Sequence, residues 1–332
     1  MVGLIDSARR SFLQNSILAF VLSFAFFGVR LCQAQEVSAP TIKVDVSRVN
    51  VGVVATDSRG NFVQGLQKSD FRIFDDGIEQ PITGFLADDD PAQVVLMLEC
   101  GPSMYLFGKE SIQKADALIA NLAPNDRVAI VCYSSSAQVL FELSENKPAA
   151  RLALRELDFN AGFADLNLSR SLLEVLAWLS TVPGKKTVVL ISSGVDSSPP
   201  SSEELFRENI SASDVRVLAV STSNQLTQSP NHHKRTRDER ASRAQLDPML
   251  QAGETRLRNL ASATGGRVYF PKLTTDFEKT YSEIAQIVRH EYNLAFAPPT
   301  PDGKLHTLTV TANHAHRTDH RQAYLAPGAS AN

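Results

Sequence analysis

The sequence predicts an α/β protein: a doubly wound, mostly parallel six-stranded sheet inserted in a small antiparallel β module formed by the N- and C-terminal segments. Three observations predict it. From Thr41 to Phe85, apolar and polar residues nearly alternate and no helical repeat is present. From Val94 to Glu291, short apolar runs alternate with helical periods, the rhythm of strands covered by helices on both faces. From Tyr292 the period returns to two.

The chain has 332 residues, 43% hydrophobic and 21% charged, which is a globular composition long enough for one large or two ordinary domains. A net charge of -3 without a dense basic stripe argues against nucleic acid as a partner. At the start, Arg9 and Arg10 precede the apolar run Ile17–Val29, and small residues follow. That is the charged and apolar order of a secretory signal, so residues 1–34 read as a signal peptide cleaved after Ala34. The run is short for a membrane span, and an uncleaved anchor is the alternative. Arg30-Leu31 ahead of Cys32 speaks against a lipid-modified cysteine. Removing residues 1–34 takes away three Arg and one Asp, moving the net charge from -3 to -5, so no anionic lipid surface is expected to attract the chain. The expected location is exported, periplasmic or secreted.

The elements follow in order. The N-terminal β segment, 40–86, carries Val44, Val46, Val49, Val51, Val53 and Val54, with turn clusters at 57–61 and Asp75-Asp76-Gly77. After the polar break Ala87–Pro91 comes the α/β domain, 92–290. Its expected strands are Val94–Glu99, Arg127–Tyr133, Gln138–Leu143, Lys186–Ser192, Val215–Ser221 and Arg267–Phe270. Its expected helices are Gly108–Leu122, Pro148–Glu156, Leu166–Thr181, Ser202–Ser213, Glu254–Thr264 and Asp276–Glu291, with stops at Pro183-Gly184 and Gly265-Gly266. A polar insertion, 224–251, holds His232, His233, Lys234, Arg235, Arg237, Arg240 and Arg243 and reads as a surface loop with a short solvated helix. Asp238, Glu239 and Asp247 dilute it as a basic docking patch. The C-terminal β segment, 291–326, rejoins the N-terminal sheet in this reading.

Parallel sheets of this kind bind ligands at the carboxyl ends of their strands. There the stretch Val94–Tyr105 runs from buried apolar residues into Glu99-Cys100-Gly101-Pro102-Ser103. With Val128–Ser134, a hairpin and Val188–Asp196, this order resembles a von Willebrand factor A-type domain. Leu260–Tyr269 is similar to the last helix–strand junction of many bacterial members. Gly65–Phe71 with Asp75-Asp76-Gly77, and Tyr292–Leu325, resemble the flanks of exported VWFA-related (acidobacterial-type) proteins. The resemblance implies a divalent cation, Mg²⁺, held by Asp-x-Ser-x-Ser, a loop Thr and a later Asp, with a partner's carboxylate completing the shell. At those positions this chain has Glu99, Gly101, Ser103, Phe163 and Ser193. Glu99 and Ser103 keep oxygens, and Ser193 is a possible third ligand. Gly101 has none, Phe163 in Ala161-Gly162-Phe163 replaces a hydroxyl, and Asp165 and Asp196 align with no ligand. The site reads as degenerate and metal-free, with a reshaped Mg²⁺ site as the alternative.

Four further constellations stand out in the sequence. Gly101–Tyr105 places Ser103 on a strand-to-helix turn, as in a nucleophile elbow, but Tyr105 replaces the second glycine. Gly184-Lys185-Lys186-Thr187 precedes a strand rather than opening a helix, which excludes a phosphate loop. His314, His316 and His320 suit a transition metal or, more simply, a solvent-facing turn. Cys100 and Cys132 sit at the ends of strands expected to be neighbours, about 4.8 Å apart, and are read either as a disulfide or as two small buried residues.

The expected function is therefore exported, non-enzymatic protein binding or adhesion through the top of the sheet, around Glu99–Met104, Gly162–Leu166 and Ser193–Asp196, without a cofactor. A metal-dependent binder, a serine hydrolase using Ser103 and a structural part in an envelope assembly are the alternatives.

Overall fold

The computed structural model describes residues 48–101, 112–157, 165–197, 203–227 and 237–328. The segment read as a signal peptide lies outside these, as do Ser103, Met104 and Phe163. Four strands come first: β1 (Val49–Thr56), β2 (Phe71–Asp75), β3 (Ile78–Gln80) and β4 (Ile82–Leu86). The α/β part follows as β5 (Ala92–Glu99), α1 (Asp116–Asn121), β6 (Arg127–Tyr133), β7 (Ala137–Ser144), α2 (Lys147–Arg155), α3 (Leu168–Ser180) and β8 (Lys185–Ser192). It continues as α4 (Glu203–Ala212), β9 (Arg216–Ser221), α5 (Ser223–Thr227), α6 (Arg237–Ala263), β10 (Val268–Tyr269) and α7 (Thr274–Arg289). The last strands are β11 (Glu291–Phe296), β12 (Leu305–Ala312), β13 (Arg317–Asp319) and β14 (Ala323–Leu325).

The six-stranded sheet has the order β10-β9-β8-β5-β6-β7. Its pairs are parallel except at the edge, where β7 runs antiparallel to β6. Every residue of β5, β8 and β9 is buried, which explains their unbroken apolar runs. Alternate residues serve opposite faces. Val94, Leu96 and Leu98 pack with Leu118 of α1 and Phe277 and Ile284 of α7. Val95 and Met97 pack with Leu172 and Leu176 of α3 and Leu257 and Leu260 of α6. The strand order reverses at β5, which lies between β6 and β8, so the carboxyl end of β5 is a topological switch point, the usual ligand crevice of such sheets. Glu99 ends that strand.

The two ends of the chain join, as expected, but into two sheets rather than one small sheet. Their orders are β13-β1-β11-β4 and β14-β12-β2-β3. β1 does not pair with β2; it pairs with β11 and β13, while β2 pairs with β12 and β3. Val51, Val53, Ile73, Tyr292, Phe296, Val310 and Tyr324 form a common core between the sheets. Such long-range pairings leave no mark in local periodicity.

A second correction concerns the polar insertion. Much of it is helix: α6 runs for 27 residues and passes through Pro248. The segment was read as a loop because it is polar and rich in charge. Here Leu257 and Leu260 anchor the helix to the sheet, and Leu250 and Ala261 are buried beside them in the sequence. Packing of this stripe overrides the local signal. His232, His233, Lys234 and Arg235 lie outside the described residues.

Buried polar groups tie the sheet to the β module. Arg216 Nε lies 2.9 Å from Glu291 Oε1, both side chains being nearly inaccessible. Lys185, which a phosphate loop would have needed at its anion, instead donates to the carbonyl oxygens of Ala87, Asp88 and Glu291.

Candidate functional site

Three adjacent strands end in polar residues at one level: β5 in Glu99, β6 in Tyr133 and β8 in Ser192. Glu99 and Tyr133 are in register. Glu99 is fully buried, and its Oε2 is an acceptor for the turn after β8. The Ser193 backbone N–H donates to it at 2.7 Å, Ser193 Oγ at 2.8 Å and Ser192 Oγ at 3.1 Å. Tyr133 Oη stands 2.7 Å from Ser192 Oγ and 3.3 Å from Glu99 Oε2. Ser192 Oγ in turn accepts the Gly194 N–H at 2.8 Å. Burial, and next the Glu99 carboxylate, push the Tyr133 hydroxyl well above its ordinary pKa, so it stays a neutral donor. The network satisfies a buried charge with hydrogen bonds, as a buried charge requires.

The surroundings hold this floor fixed. Cys100 and Cys132 form a disulfide with Cα atoms 5.7 Å apart. Cys100 N–H also donates to Tyr133 O at 2.8 Å. Gly194, at φ +74°, lies against Gly253 of α6, where a β-carbon on Gly194 would stand 2.3 Å from Gly253 O. Arg256 of the same helix donates to Gly194 O at 2.8 Å.

Of the residues expected at the site, Glu99 and Ser193 meet directly. Gly101 faces Leu166, whose Cδ2 would lie 2.7 Å from an added β-carbon, so an apolar side chain occupies the space beside the missing hydroxyl. Asp196 accepts from the Ser169 backbone N–H at 3.0 Å and from Ser169 Oγ, placing negative charge at the first turn of α3. Asp165 is exposed. Ser103 and Phe163 lie outside the described residues. Sequence reasoning missed Tyr133 and Ser192, although both are polar residues closing apolar strands, as Glu99 is.

The Mg²⁺ that the resemblance implies needs near-ideal octahedral oxygen geometry. Among the described residues the fit is poor. Glu99 Oε2 is engaged by Ser192 and Ser193, Ser193 Oγ points its proton at that carboxylate, Gly101 offers no oxygen and Asp196 serves α3. Three of the described histidines face groups outside this set. His290 Nδ1 faces Asp88 at 3.8 Å, and His306 lies between Asp75 and Asp302. His320 Nε2 accepts the Val310 N–H while its Nδ1 meets Arg321 O. His314, at φ +63°, and His316 lie exposed in the turn between β12 and β13 rather than on one strand face, and His320 is buried.

No protein-family model and no curated protein matches this chain. Solved structures do resemble it. An aerotolerance-related membrane protein from Bacteroides fragilis, carrying multiple mutations to serine, is 13% identical with a TM-score of 0.42, over 60% of this chain and 98% of that one. A von Willebrand factor type A protein from Catenulispora acidiphila is 11% identical with a TM-score of 0.45, over 84% and 72%. The PilB minor pilin from Streptococcus sanguinis is 14% identical with a TM-score of 0.44, over 63% of each chain. Likenesses of this size carry no argument about family, partner or activity.

Proposed function

We propose that this is an exported, non-enzymatic protein that binds a protein partner through the carboxyl-end face of its six-stranded sheet, without a cation at that face. One observation carries the reading: Glu99, at the position where the resemblance implies a cation ligand, is buried and bonded to the turn after β8. The site keeps its place at the switch point but has exchanged cation chemistry for internal hydrogen bonds. Export is supported by the order Arg9, Arg10, Ile17–Val29 and fits a disulfide at Cys100–Cys132, since such bonds persist in oxidising compartments. Among the described residues, no helix is long and apolar enough to cross a membrane. Contact with the partner falls to side chains of the loops, with Met104 and Phe163 supplying apolar area where oxygen ligands would stand.

The test is cross-linking of the tagged protein in an envelope fraction of its own cell, in EDTA and in Mg²⁺. The expected result is one partner recovered equally in both and lost with Phe163→Asp. Recovery only in Mg²⁺ would restore the cation-dependent reading. Labelling by a fluorophosphonate, abolished by Ser103→Ala, would make the protein a hydrolase. Thermal unfolding with Mg²⁺, Mn²⁺ or Ca²⁺ supplies a control, because ligand at a hundredfold its Kd stabilises by about 2.7 kcal/mol. A shift lost in Glu99→Gln belongs to this site; a shift retained there belongs to another.

A further inference from the structure

The hairpin of the β module gathers a second cluster, remote in sequence from everything above. Asp75 ends β2, and Asp76-Gly77, at φ +47° and +81°, form the two-residue turn into β3. Both positive angles mark the type I′ hairpin that Asp-Gly favours. β12 runs antiparallel beside β2 and carries His306 to this turn. His306 Nδ1 lies 3.0 Å from Asp75 Oδ1 and 3.2 Å from Asp76 Oδ2. These three atoms lie within 4.8 Å of one another.

We propose that Asp75, Asp76 and His306 bind a divalent first-row cation of the zinc type, with the fourth position open to water or a partner's group. One ring proton serves two carboxylate oxygens poorly, whereas a cation serves all three atoms. Tetrahedral bonds of 2.0–2.1 Å place ligand atoms about 3.3 Å apart, close to the 3.0 and 3.2 Å found from His306 Nδ1. The charge balance points the same way. Asp75, Asp76 and Asp302 surround one imidazole, so the cluster stays negative even with that ring protonated, and Asp75 is 2% exposed.

Each ligand is also oriented from behind, as metal ligands are. His306 Nε2 faces Asp302 Oδ1 at 3.2 Å, which fixes the tautomer that leaves Nδ1 for the cation. Tyr324 Oη donates to the other oxygen of Asp75 at 3.2 Å. Thr307 donates its backbone N–H and hydroxyl to the other oxygen of Asp76, at 2.8 and 2.6 Å. The Asp76 side chain is 54% exposed, which gives the ion an entry path. Two carboxylates with one imidazole suit zinc and its neighbours better than calcium or magnesium. This site is independent of the reading of the sheet face.

The full chain, stripped with a chelator and dialysed, is titrated calorimetrically with Zn²⁺. One Zn²⁺ per chain is expected. His306→Ala should abolish binding or weaken it at least a hundredfold. Asp302→Asn leaves the ligands in place and should weaken binding by about 10–100-fold. Asp76→Asn changes a half-exposed side chain, so it should melt like wild type in chelator yet bind at least tenfold more weakly. Copper(II) in place of zinc should give an electron paramagnetic resonance spectrum with one coordinated nitrogen, lost in His306→Ala. Absence of Zn²⁺ binding by the wild type overturns the proposal, and so does an affinity unmoved by both Asp76→Asn and Asp302→Asn.

Discussion

Removing the Glu99 carboxylate distinguishes a structural acceptor from a cation ligand. In Glu99→Ala the Ser193 N–H and the hydroxyls of Ser192 and Ser193 lose the oxygen they share. A buried donor left unmatched costs about 1–3 kcal/mol. Hydroxyls rotate toward other acceptors and a backbone N–H does not, so the upper end applies to Ser193 N–H alone. The sum is about 4 kcal/mol, within the range for breaking a buried charged network. In a domain of this size that lowers Tm by roughly 8–16 °C. Glu99→Gln keeps an oxygen but replaces charge-assisted bonds with neutral ones, at about 1–2 kcal/mol. The assay is thermal and urea unfolding of wild type and both variants, first in EDTA and then in Mg²⁺. The expected order is wild type, Gln, Ala, with equal spacing in both buffers. A carboxylate poised for a cation behaves oppositely: in EDTA its removal relieves uncompensated charge. Glu99→Ala as stable as wild type in EDTA, with Mg²⁺ stabilising only the wild type, would refute the reasoning.

Three further outcomes test the frame around the site. Cys100 and Cys132 are 32 residues apart, so their bond should contribute about 3.7 kcal/mol by loop closure; reduction or Cys132→Ser should lower Tm by roughly 7–15 °C, and coincident oxidised and reduced melts would contradict this. Gly253→Ala, which in an exposed helix would stabilise by about 1 kcal/mol, should instead destabilise, because its β-carbon would stand 2.5 Å from Ser193 O; chemical denaturation gives the sign. Burial, and next after it the Arg216 charge, hold His320 below its ordinary pKa, against the pull of the bond to Arg321 O and of Asp319. The folded state therefore binds fewer protons there, and this contribution is present above about pH 6.5 and lost as pH falls through the folded value. Wild type should lose more stability than His320→Gln between neutral and mildly acidic pH; His306, common to both proteins, cancels in that difference.

The α/β core was legible because its strands are buried on both faces and its helices carry one-sided periods. Val94–Glu99 and Lys186–Ser192 announce themselves as apolar runs, and every expected strand of the six-stranded sheet is present. Partnership was not legible. That β1 chooses β11 and β13 while β2 chooses β12 is decided by which faces share Tyr292, Phe296 and Tyr324. The polar composition of 237–251 hid a helix whose later residues Leu257 and Leu260 pack on the sheet. At the site, the sequence marks Glu99 as unusual but not as bonded to Ser193, 94 residues away. His306 and Asp75, 231 residues apart, are further still from any local rule.

A carboxylate at the end of a buried central strand is tolerable in two ways. It can share its charge with a cation, or it can be saturated by donors of its own chain. The first makes the face depend on ion supply and leaves a coordination position for a partner. The second makes the geometry permanent and removes that position. The proposed reading gives Glu99 the second course, and its neighbours fit it: the Cys100–Cys132 bond joins β5 to β6 beside it, and the Gly194–Gly253 contact fixes the turn that supplies its donors. Each device preserves the positions of strand ends rather than creating a reactive group. In the proposed reading the Glu99 carboxylate serves the platform rather than a partner, so binding is expected to be insensitive to chelators.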